Sequence, residues 1–360
     1  MRIALVYDRV NKWGGAERLL LSLHKIYPAA PLFTLVYNPA TAPWASVFEV
    51  VPGFLNKIPF FRTRHEILAP LSQLGFESFD FSDFDVVISI SSDHAKSVIT
   101  KPKILHICYC LTPTRYLWGR ERGYYLPKII KKYLCFADRI SAARPDVYLA
   151  ISNAVKNRIY KYYRKNAQTI YPGIENNNYS IPKKHKTSDH YLIVGRMVPY
   201  KKHSLVIKVF NRSGRKLVVV GTGSLERSLK SIAKSNITFL KNLSSKELIH
   251  QYQDAKALII PQREDFGFVS LEAQACGTPV IAYKAGGALE TVIDRETGLF
   301  FEKQIPHSLN TALDSFESGA HHITTTKCAA NAAKFDETRF INEFSAKVES
   351  LWRQHQKMFM

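Results

Sequence analysis

Short apolar runs alternate with segments of helical periodicity in both halves of the chain, and this alternation limits the fold more than any other feature. Runs of this kind, joined by crossover helices, are typical of a parallel sheet covered by helices on both faces. The predicted strands of the first half are Ile3–Tyr7, Leu32–Tyr37, Val86–Ser91, Ile104–Cys110 and Val147–Ile151. Those of the second half are Tyr191–Val194, Leu217–Val220, Ile237–Leu240, Ala257–Ile260 and Pro279–Ala282.

A length of 360 residues fits two domains better than one. The stretch from Tyr171 to Lys184 is rich in turn formers and poor in apolar residues, as interdomain linkers are. We therefore predict an α/β fold with two Rossmann-like, doubly wound domains, over residues 1–172 and 185–335. Residues 336–360 are predicted to form a helix that returns to the first domain. Such sheets bind ligands at the carboxyl ends of their strands, so we expect a ligand between the two domains.

The composition indicates a cytoplasmic protein without a metal scaffold. Five scattered cysteines show no zinc spacing, which argues against a disulfide framework and a structural metal site. The N-terminus lacks a signal-peptide cleavage site, and no apolar run approaches the roughly 18–20 residues that cross a bilayer. We expect a cytoplasmic protein that could associate peripherally with the inner membrane.

The positive charge is concentrated in one part of the chain. The net charge is +20, and residues 101–166 hold fifteen Lys and Arg against three acidic residues, a net of +12. This segment, with the aromatic and basic stretch Phe54–His65, could contact an anionic membrane surface. A solvated surface and a packed helix pair are the alternative interpretations. Nucleic acid is not an expected partner, because no helix-turn-helix, zinc-finger or RNP signature is present.

The strongest candidate site lies in the second half. Arg196 follows a predicted strand, and Lys201 comes five residues later. Glu264 and Glu272 flank a strand–loop–helix junction whose backbone from Phe266 through Gly267 and Phe268 to Val269 could approach a ligand closely. The cations could neutralise a diphosphate, and the acids could bind hydroxyl groups. Taken singly, each residue could equally be a surface charge or a complement to the helix dipole.

These motifs resemble the family 4 glycosyltransferases, which are retaining enzymes of GT-B fold. The resemblance rests on Arg196 with Lys201, on Glu264 with Glu272, and on Gly286-Gly287 followed by Glu290. Further segments that match are Gly14–Glu17, Cys276–Ala282, Asp85–Lys96 and His106–Trp118, the last two being similar to the bacterial O-antigen mannosyltransferase branch.

The resemblance implies transfer of a sugar, mannose as a first guess, from a nucleotide-diphosphate sugar to a hydroxyl of a saccharide or polyprenyl-linked acceptor in surface polysaccharide biosynthesis. Arg196, Lys201 and Glu264 would be catalytic, and Gly14 and Gly15 would face the donor phosphate. Phe266, Gly267, Phe268, Val269 and Glu272 would complete the donor site. No cofactor or metal is expected, because the two cations would take the place of the metal.

Acceptor or sugar contacts are predicted at His94, Lys96, Leu111, Arg115 and Tyr116. Leu111 stands where family members usually carry a histidine, so the donor could be a 6-deoxy sugar or a pentose. Alternatively, His94 or His106 replaces that histidine, or Leu111 only packs. A sugar-nucleotide epimerase of the same architecture is a further alternative. An NAD-dependent oxidoreductase is less favoured, because Gly221-Thr222-Gly223 lacks the rest of the dinucleotide fingerprint.

Overall fold

Two parallel sheets organise the chain in the computed structural model, which describes residues 1–58, 69–119, 127–182, 189–319 and 321–359. The chain divides into two units. Unit 1 contains Met1–Gly173 together with Thr338–Met360, and unit 2 contains Ile174–Glu337. The sequence analysis placed the corresponding boundaries after residues 172 and 335.

The sheet of unit 1 has seven strands, all of them parallel, in the order β3-β2-β1-β4-β5-β6-β7. The chain first adds strands on one side of β1 and then crosses to the other side at β4, which gives a doubly wound sheet. The strands are β1 Ile3–Tyr7, β2 Leu32–Thr34, β3 Val50–Pro52, β4 Val86–Ser91, β5 Leu105–Cys110, β6 Val147–Ala150 and β7 Ala167–Thr169.

Helices connect these strands and cover the sheet. The described helices are α1 Gly15–Ile26, α2 Ala69–Glu77, α3 Arg115–Trp118, α4 Lys128–Ser141 and α5 Asn153–Tyr163. In α1 the leucines at positions 19, 20 and 23 are buried, as the helical periodicity predicts. An aromatic cluster around Phe33, Phe76 and Phe81 fills the core beside β1 and β4. This packing fixes the positions of the strands relative to one another.

The sheet of unit 2 has six parallel strands in the order β10-β9-β8-β11-β12-β13. The order again reverses direction beside the first strand, here between β8 and β11, so unit 2 has its own topological switch point. The strands are β8 His190–Val194, β9 Lys216–Val220, β10 Ile237–Leu240, β11 Leu258–Ile260, β12 Val280–Tyr283 and β13 Gly298–Phe301.

Both faces of this second sheet are buried. Successive side chains of a strand point to opposite faces, and in β11 Ile259 enters one core cluster while Leu258 and Ile260 enter another. Continuous apolar runs are therefore required rather than an alternating pattern. The covering helices are α6 His203–Ser213, α7 Glu226–Ile232, α8 Ser245–Asp254, α9 Phe268–Ala275, α10 Ala288–Thr291, α11 Pro306–Glu317 and α12 Thr325–Ala333.

The terminal helix, α13 Glu337–Gln356, packs against unit 1. Its Phe340 and Phe344 rings lie 6.1 and 5.2 Å from the ring of Tyr109 in β5. The guanidinium of Arg339 donates to the carbonyl oxygen of Tyr171 at 2.6 Å. These contacts bury Phe340 and Phe344, which an isolated amphipathic helix would leave exposed to water.

The predicted parallel sheets are confirmed, with differences at individual strands. The second predicted strand ends at Thr34 instead of Tyr37, because Val36 and Tyr37 pair with the loop that follows β1, at Val10. Strands β3, β7 and β13 were not predicted, since they are short and contain Pro, Gln and Gly, which are weak strand signals. Most of the Phe54–His65 stretch lies outside the described residues.

Candidate functional site

In unit 2, the loop that leaves β8 carries both predicted cations. Gly195 has a φ of 145°, so the chain turns sharply at the end of the strand. Arg196 is exposed, and its guanidinium lies 3.5 Å from the Tyr200 hydroxyl. Lys201 ends the short 3₁₀ helix Pro199–Lys201, and Lys202 follows with a φ of 56°. A lysine in the left-handed region is strained, and strain of this kind concentrates at functional sites.

Two glycines of the next loop hold this segment in place. A Cβ at Gly221 would lie 2.2 Å from the Gly195 carbonyl oxygen, and one at Gly223 would lie 2.5 Å from that of Met197. The backbones meet directly, with Met197 N–H donating to the Thr222 carbonyl at 2.8 Å. The glycines after β9 are therefore needed for packing between two loops, a role that the partial dinucleotide fingerprint did not reveal.

The structure brings Lys201 to Glu264, which lies 63 positions later in the chain. The Lys201 ammonium donates to Glu264 Oε1 at 2.7 Å, and the two side chains are 14% and 16% exposed. The side-chain amide of Gln262, which is buried, donates to the same carboxylate oxygen. The predicted cation and acid thus form one partly exposed pair, and Gln262 is an additional member of the site that sequence reasoning missed. Its only signal was its position just after β11.

Gly286 and Gly287 support the segment that carries Glu264. Gly286 has a φ of 70°, and a Cβ there would lie 2.2 Å from the Glu264 carbonyl oxygen. A Cβ at Gly287 would lie 2.1 Å from the carbonyl oxygen of Phe266. Gly287 N–H donates to the Glu264 carbonyl at 2.9 Å. This contact explains why a Gly-Gly pair stands at this position.

Helix α9 begins directly after this segment, with Gly267 as its N-cap. Gly267 has a φ of 125°, and a Cβ there would approach the hydroxyl of Thr291 to 3.0 Å. Phe266 is buried, and its ring packs against those of Phe268 and Phe335 at 5.2 and 5.8 Å. Phe268 and Val269 are half-buried at the start of the helix. A helix N-terminus presents N–H groups and a positive dipole end, which suits an anionic ligand.

Polar contacts behind α9 fix its orientation. The Gln274 side-chain amide donates to the carbonyl oxygen of Thr291 at 2.7 Å and accepts from the amide of Asn331 at 2.8 Å. Glu272 is 3% exposed and accepts a 2.7 Å hydrogen bond from the hydroxyl of Tyr252. Tyr252 is therefore a second residue that sequence reasoning missed. It orients the carboxyl group that we predicted to bind a diol.

His203, the first residue of α6, is buried two positions after Lys201. Neither of its ring nitrogens has a hydrogen-bond partner among the described residues. Burial, with the nearby Lys201 charge, lowers the pKa of His203 to about 4. The ring is therefore neutral at physiological pH and adds no charge beside the lysine.

In unit 1, the predicted glycine loop contains its own acid. Gly14 is the N-cap of α1, and Gly15 is the first residue of that helix. Glu17, in the first turn, is 2% exposed and accepts a 2.6 Å hydrogen bond from the Tyr7 hydroxyl. Burial and the neighbouring Glu17 raise the pKa of Tyr7 well above its usual value. An acid in the first turn already complements the dipole of α1, so phosphate binding by Gly14 and Gly15 stays a prediction.

The prediction that Lys96 contacts the acceptor or the sugar requires a correction. Lys96 is 1% exposed, and its ammonium donates to Asp138 Oδ1 at 2.6 Å and to the Thr114 hydroxyl at 3.2 Å. Burial alone would lower the pKa of Lys96, but the Asp138 carboxylate outweighs it and raises that pKa. Asp138 also accepts from Trp118 and Tyr163. Lys96 therefore belongs to a closed internal network, because a buried cation requires such partners.

The structure brings His94 and Tyr116 together. The His94 ring nitrogen and the Tyr116 hydroxyl are 2.8 Å apart, and burial raises the pKa of Tyr116. Arg115 begins α3 beside them and is half-buried. Leu111 is 8% exposed and packs in unit 1, so its influence on donor choice stays a prediction.

The proposal that His106 contacts a sugar is wrong. His106 is fully buried in β5, where its ring bonds the Ser89 hydroxyl at 2.8 Å. Burial lowers the pKa of His106 to about 3, with a further contribution from Arg144. A neutral histidine inside the sheet cannot reach a substrate. His94, in the loop after β4, is also buried, so its contact with a sugar stays a prediction.

Two kinds of feature are absent from the described part of the chain. It contains no group of three or more His, Cys, Asp or Glu side chains arranged to hold a metal ion. None of its helices combines the length and the apolar character that a membrane span requires.

Comparisons with known proteins point to one family. Residues 175–335 match the family model described as Glycosyl transferases group 1. The O-antigen chain mannosyltransferase of Salmonella typhimurium is 33% identical over 174 residues, which cover 44% of this chain and 49% of that protein. The chain spans about half the length of such relatives.

Two solved structures match nearly the whole chain at low identity. Sucrose-phosphate synthase of Thermosynechococcus elongatus has a TM-score of 0.78 at 16% identity, covering 98% of this chain and 100% of that one. HepE of Anabaena, solved in complex with UDP, has a TM-score of 0.72 at 16% identity, covering 97% and 100%. Identities this low show the fold alone.

The two parallel-sheet units and these structural matches define a GT-B fold, as the sequence analysis predicted. The family model of the group 1 glycosyl transferases matches nearly all of unit 2. The resemblance to the family 4 glycosyltransferases is thereby confirmed.

Proposed function

We propose that the chain transfers a sugar from a nucleotide-diphosphate sugar to a hydroxyl group of a saccharide or lipid-linked acceptor. The observation that carries the proposal is the 2.7 Å contact between Lys201 and Glu264. This contact joins two residues that the sequence predicted for the site. It lies where the loops of unit 2 that contain closely packed glycines meet. The match of this unit to the group 1 glycosyltransferases supports the same activity.

Lys201 and Arg196 would bind the diphosphate of the donor. The Lys201 ammonium is already oriented by Glu264, so little conformational entropy is lost when a phosphate oxygen replaces or shares that contact. Charge develops on the diphosphate as the sugar–phosphate bond breaks, and a cation aimed at that charge lowers the barrier. The N–H groups at the start of α9, after Gly267, would add further positive potential.

Glu264 and Glu272 would bind different parts of the donor. Glu264 would accept hydrogen bonds from sugar hydroxyls, and Glu272, oriented by Tyr252, would accept them from the ribose diol. We propose that the reaction retains the anomeric configuration and needs no divalent metal, because the two cations supply the positive charge. Mannose is the first donor to test, since a mannosyltransferase is among the relatives. A role in surface polysaccharide biosynthesis in the cytoplasm is part of this proposal.

Nucleotide screening followed by product analysis tests the proposal. A ligand that binds only the folded state raises the melting temperature, by an equivalent of about 2.7 kcal/mol at a hundred times its Kd. We expect a shift with one of GDP, UDP and ADP, smaller for Arg196→Ala, and transfer that persists in EDTA. Formation of a new sugar nucleotide from the donor alone would identify an epimerase instead. Absence of any nucleotide shift would contradict the proposed donor site.

A donor panel tests the role of Leu111. If this buried leucine reflects an apolar sugar contact, a 6-deoxy or pentose donor should be used better than GDP-mannose. The Leu111→His variant should then shift the preference towards the hexose. Clear preference of the unchanged protein for GDP-mannose would refute the deoxy-sugar hypothesis.

A further inference from the structure

Helix α4 of unit 1 carries an unusual exposed surface. Ile129, Tyr133, Phe136 and Ile140 are 84%, 65%, 63% and 48% exposed. We call these four residues the apolar stripe. At about 100° per residue they fall within an arc of roughly 60° on one side of the helix. They form a continuous row of large apolar side chains that faces away from the protein core.

The buried side of the same helix is more polar than its exposed side. Leu134, Asp138 and Ser141 are the buried positions of α4. Helices of globular proteins normally show the opposite arrangement, with the apolar residues inside. Contiguous exposed apolar patches mark sites of protein or membrane interaction.

Lysines border the apolar stripe along one edge. Lys132 and Lys128 are exposed and lie about 70° and 110° around the helix from the centre of the stripe. Arg139 lies on the same edge, and its guanidinium stacks on the Trp118 ring at 4.9 Å. A helix with aromatic and aliphatic residues on one face and lysines beside them fits the headgroup region of an anionic bilayer. Interfaces between proteins are instead depleted in lysine, which disfavours a second protein as the occupant.

The buried network of unit 1 holds this helix firmly. Asp138 accepts hydrogen bonds from Lys96 at 2.6 Å, from Trp118 at 2.6 Å and from Tyr163 at 2.8 Å. Three side chains from other parts of unit 1 are thereby tied to the inner side of α4. The apolar stripe is consequently presented by a folded scaffold and needs no ordering when it binds.

We propose that α4 is the membrane-docking element of this protein, lying in the plane of an anionic bilayer with the apolar stripe inserted and Lys128 and Lys132 at the lipid phosphates. This inference goes beyond the proposed transferase activity and does not depend on it, because its test measures vesicle binding. The sequence analysis suggested that the basic segment 101–166 contacts an anionic membrane, and this proposal assigns that contact to one helix of the segment.

Sedimentation of the full chain with vesicles tests the proposal. We expect binding to vesicles that contain phosphatidylglycerol, weaker binding to pure phosphatidylcholine, and partial release by salt. The double variant Ile129→Gln with Phe136→Gln should bind roughly tenfold more weakly or worse. A matched control in unit 2, Ile232→Gln with Ile305→Gln, removes two exposed isoleucines and should bind like the unchanged protein.

The lysines are tested in the same assay. Lys128→Gln with Lys132→Gln should weaken binding to the anionic vesicles by roughly fivefold for each lysine, and should leave binding to neutral vesicles unchanged. The control Lys208→Gln with Lys246→Gln removes the same charge from exposed positions of unit 2. Equal losses in both lysine variants would overturn the assignment to α4, because only the net charge would then matter.

A third variant reports insertion directly. Phe136→Trp should show a blue-shifted emission component with anionic vesicles that the unchanged protein lacks. Absence of the shift, or full binding by the Ile129 and Phe136 double variant, would overturn the proposal. The proposal would also be overturned if the unchanged protein were a dimer that does not bind vesicles, and if the double variant were a monomer. A second copy of the chain would then cover the apolar stripe.

Discussion

Each unit of the protein contains a close pair of a lysine and a carboxylate that is shielded from solvent, and these two pairs have different surroundings. In unit 1 the Lys96–Asp138 pair spans 2.6 Å, with side chains 2% and 0% exposed. In unit 2 the Lys201–Glu264 pair spans 2.7 Å, with side chains 14% and 16% exposed. The distances are nearly equal, so burial distinguishes the two pairs. A ligand can compete for the second pair but cannot reach the first.

The partners of each pair reinforce this difference. Asp138 accepts from three further side chains, so its hydrogen-bonding capacity is used inside the protein. Burial alone would raise the pKa of Asp138, but Lys96 and the hydrogen bond from Trp118 lower it, and the ion pair persists at neutral pH. A buried pair of this kind mainly specifies one arrangement of the core, whereas a partly exposed pair can exchange partners.

The largest effect is expected when the buried pair is broken. Lys96→Ala should destabilise the protein by about 3–5 kcal/mol, because it leaves the Asp138 carboxylate buried without its cation. Urea unfolding measures the loss. The control is Lys230→Ala, which removes an exposed helical pair with Glu226 at 2.7 Å and should cost far less, because water screens an exposed ion pair. Similar losses in the two variants would mean that burial does not distinguish them.

The partly exposed pair should affect catalysis instead of stability. Lys201→Ala should lower kcat for sugar transfer by about 100- to 1,000-fold, the usual effect of removing one charge-stabilising group. Its melting temperature should change little. Lys202→Ala removes the neighbouring exposed lysine and should retain most activity. If Lys201→Ala unfolded the protein, or if both variants lost activity equally, the proposed role of Lys201 would be excluded.

Acid should destabilise each unit through one buried histidine. The folded-state pKa values of His203 and His106 are about 4 and about 3, below the ordinary 6.5. The unfolded chain binds more protons below pH 6.5, so the stability supplied by the neutral rings is complete above that pH. It is lost as pH falls towards 4 for His203, by an amount on the order of 3 kcal/mol.

Urea unfolding between pH 7 and pH 4.5 tests this expectation. His203→Leu should flatten the pH dependence without loss of stability at pH 7, since the ring has no hydrogen-bond partner among the described residues. His106→Leu should flatten it too, but with a loss at pH 7, because the Ser89 hydroxyl loses its partner. An unchanged slope in both variants would contradict the assignment.

The smallest expected effect concerns Gly286, which packs against the backbone of Glu264. Gly286 and Gly214 have similar φ values of 70° and 74°, but a Cβ at Gly214 would meet nothing within 4 Å. Gly214→Ala should therefore cost about 1 kcal/mol from backbone strain alone. Gly286→Ala should cost about 2 kcal/mol more, because its Cβ would overlap the Glu264 carbonyl. Thermal unfolding measures the loss of stability in each variant. Equal losses would mean that the loops carrying Gly286 and Glu264 move apart easily to accommodate the Cβ.

The prediction from sequence succeeded best where the signal was local. In unit 2 the apolar runs predicted β8 to β12 to within one residue at either end, because a strand buried on both faces requires a continuous apolar run. Strand β7 escaped notice, since its three residues Ala167–Thr169 carry no apolar pattern. At the site, the motifs indicated Lys201 and Glu264. Gln262 and Tyr252 were identified only from their hydrogen bonds in the structure.

Lys96 and Lys201 show the limit of such reasoning most clearly. Both are lysines that follow a strand, and both were predicted to contact substrate, yet only Lys201 is accessible. Chain periodicity and turn-forming residues act over a few neighbours, so the amino-acid order alone specified the two parallel sheets and the glycine-rich loops. Burial depends on residues far apart in the chain, such as the 42 positions between Lys96 and Asp138. Only the folded arrangement could therefore assign one lysine to the core and the other to the candidate site.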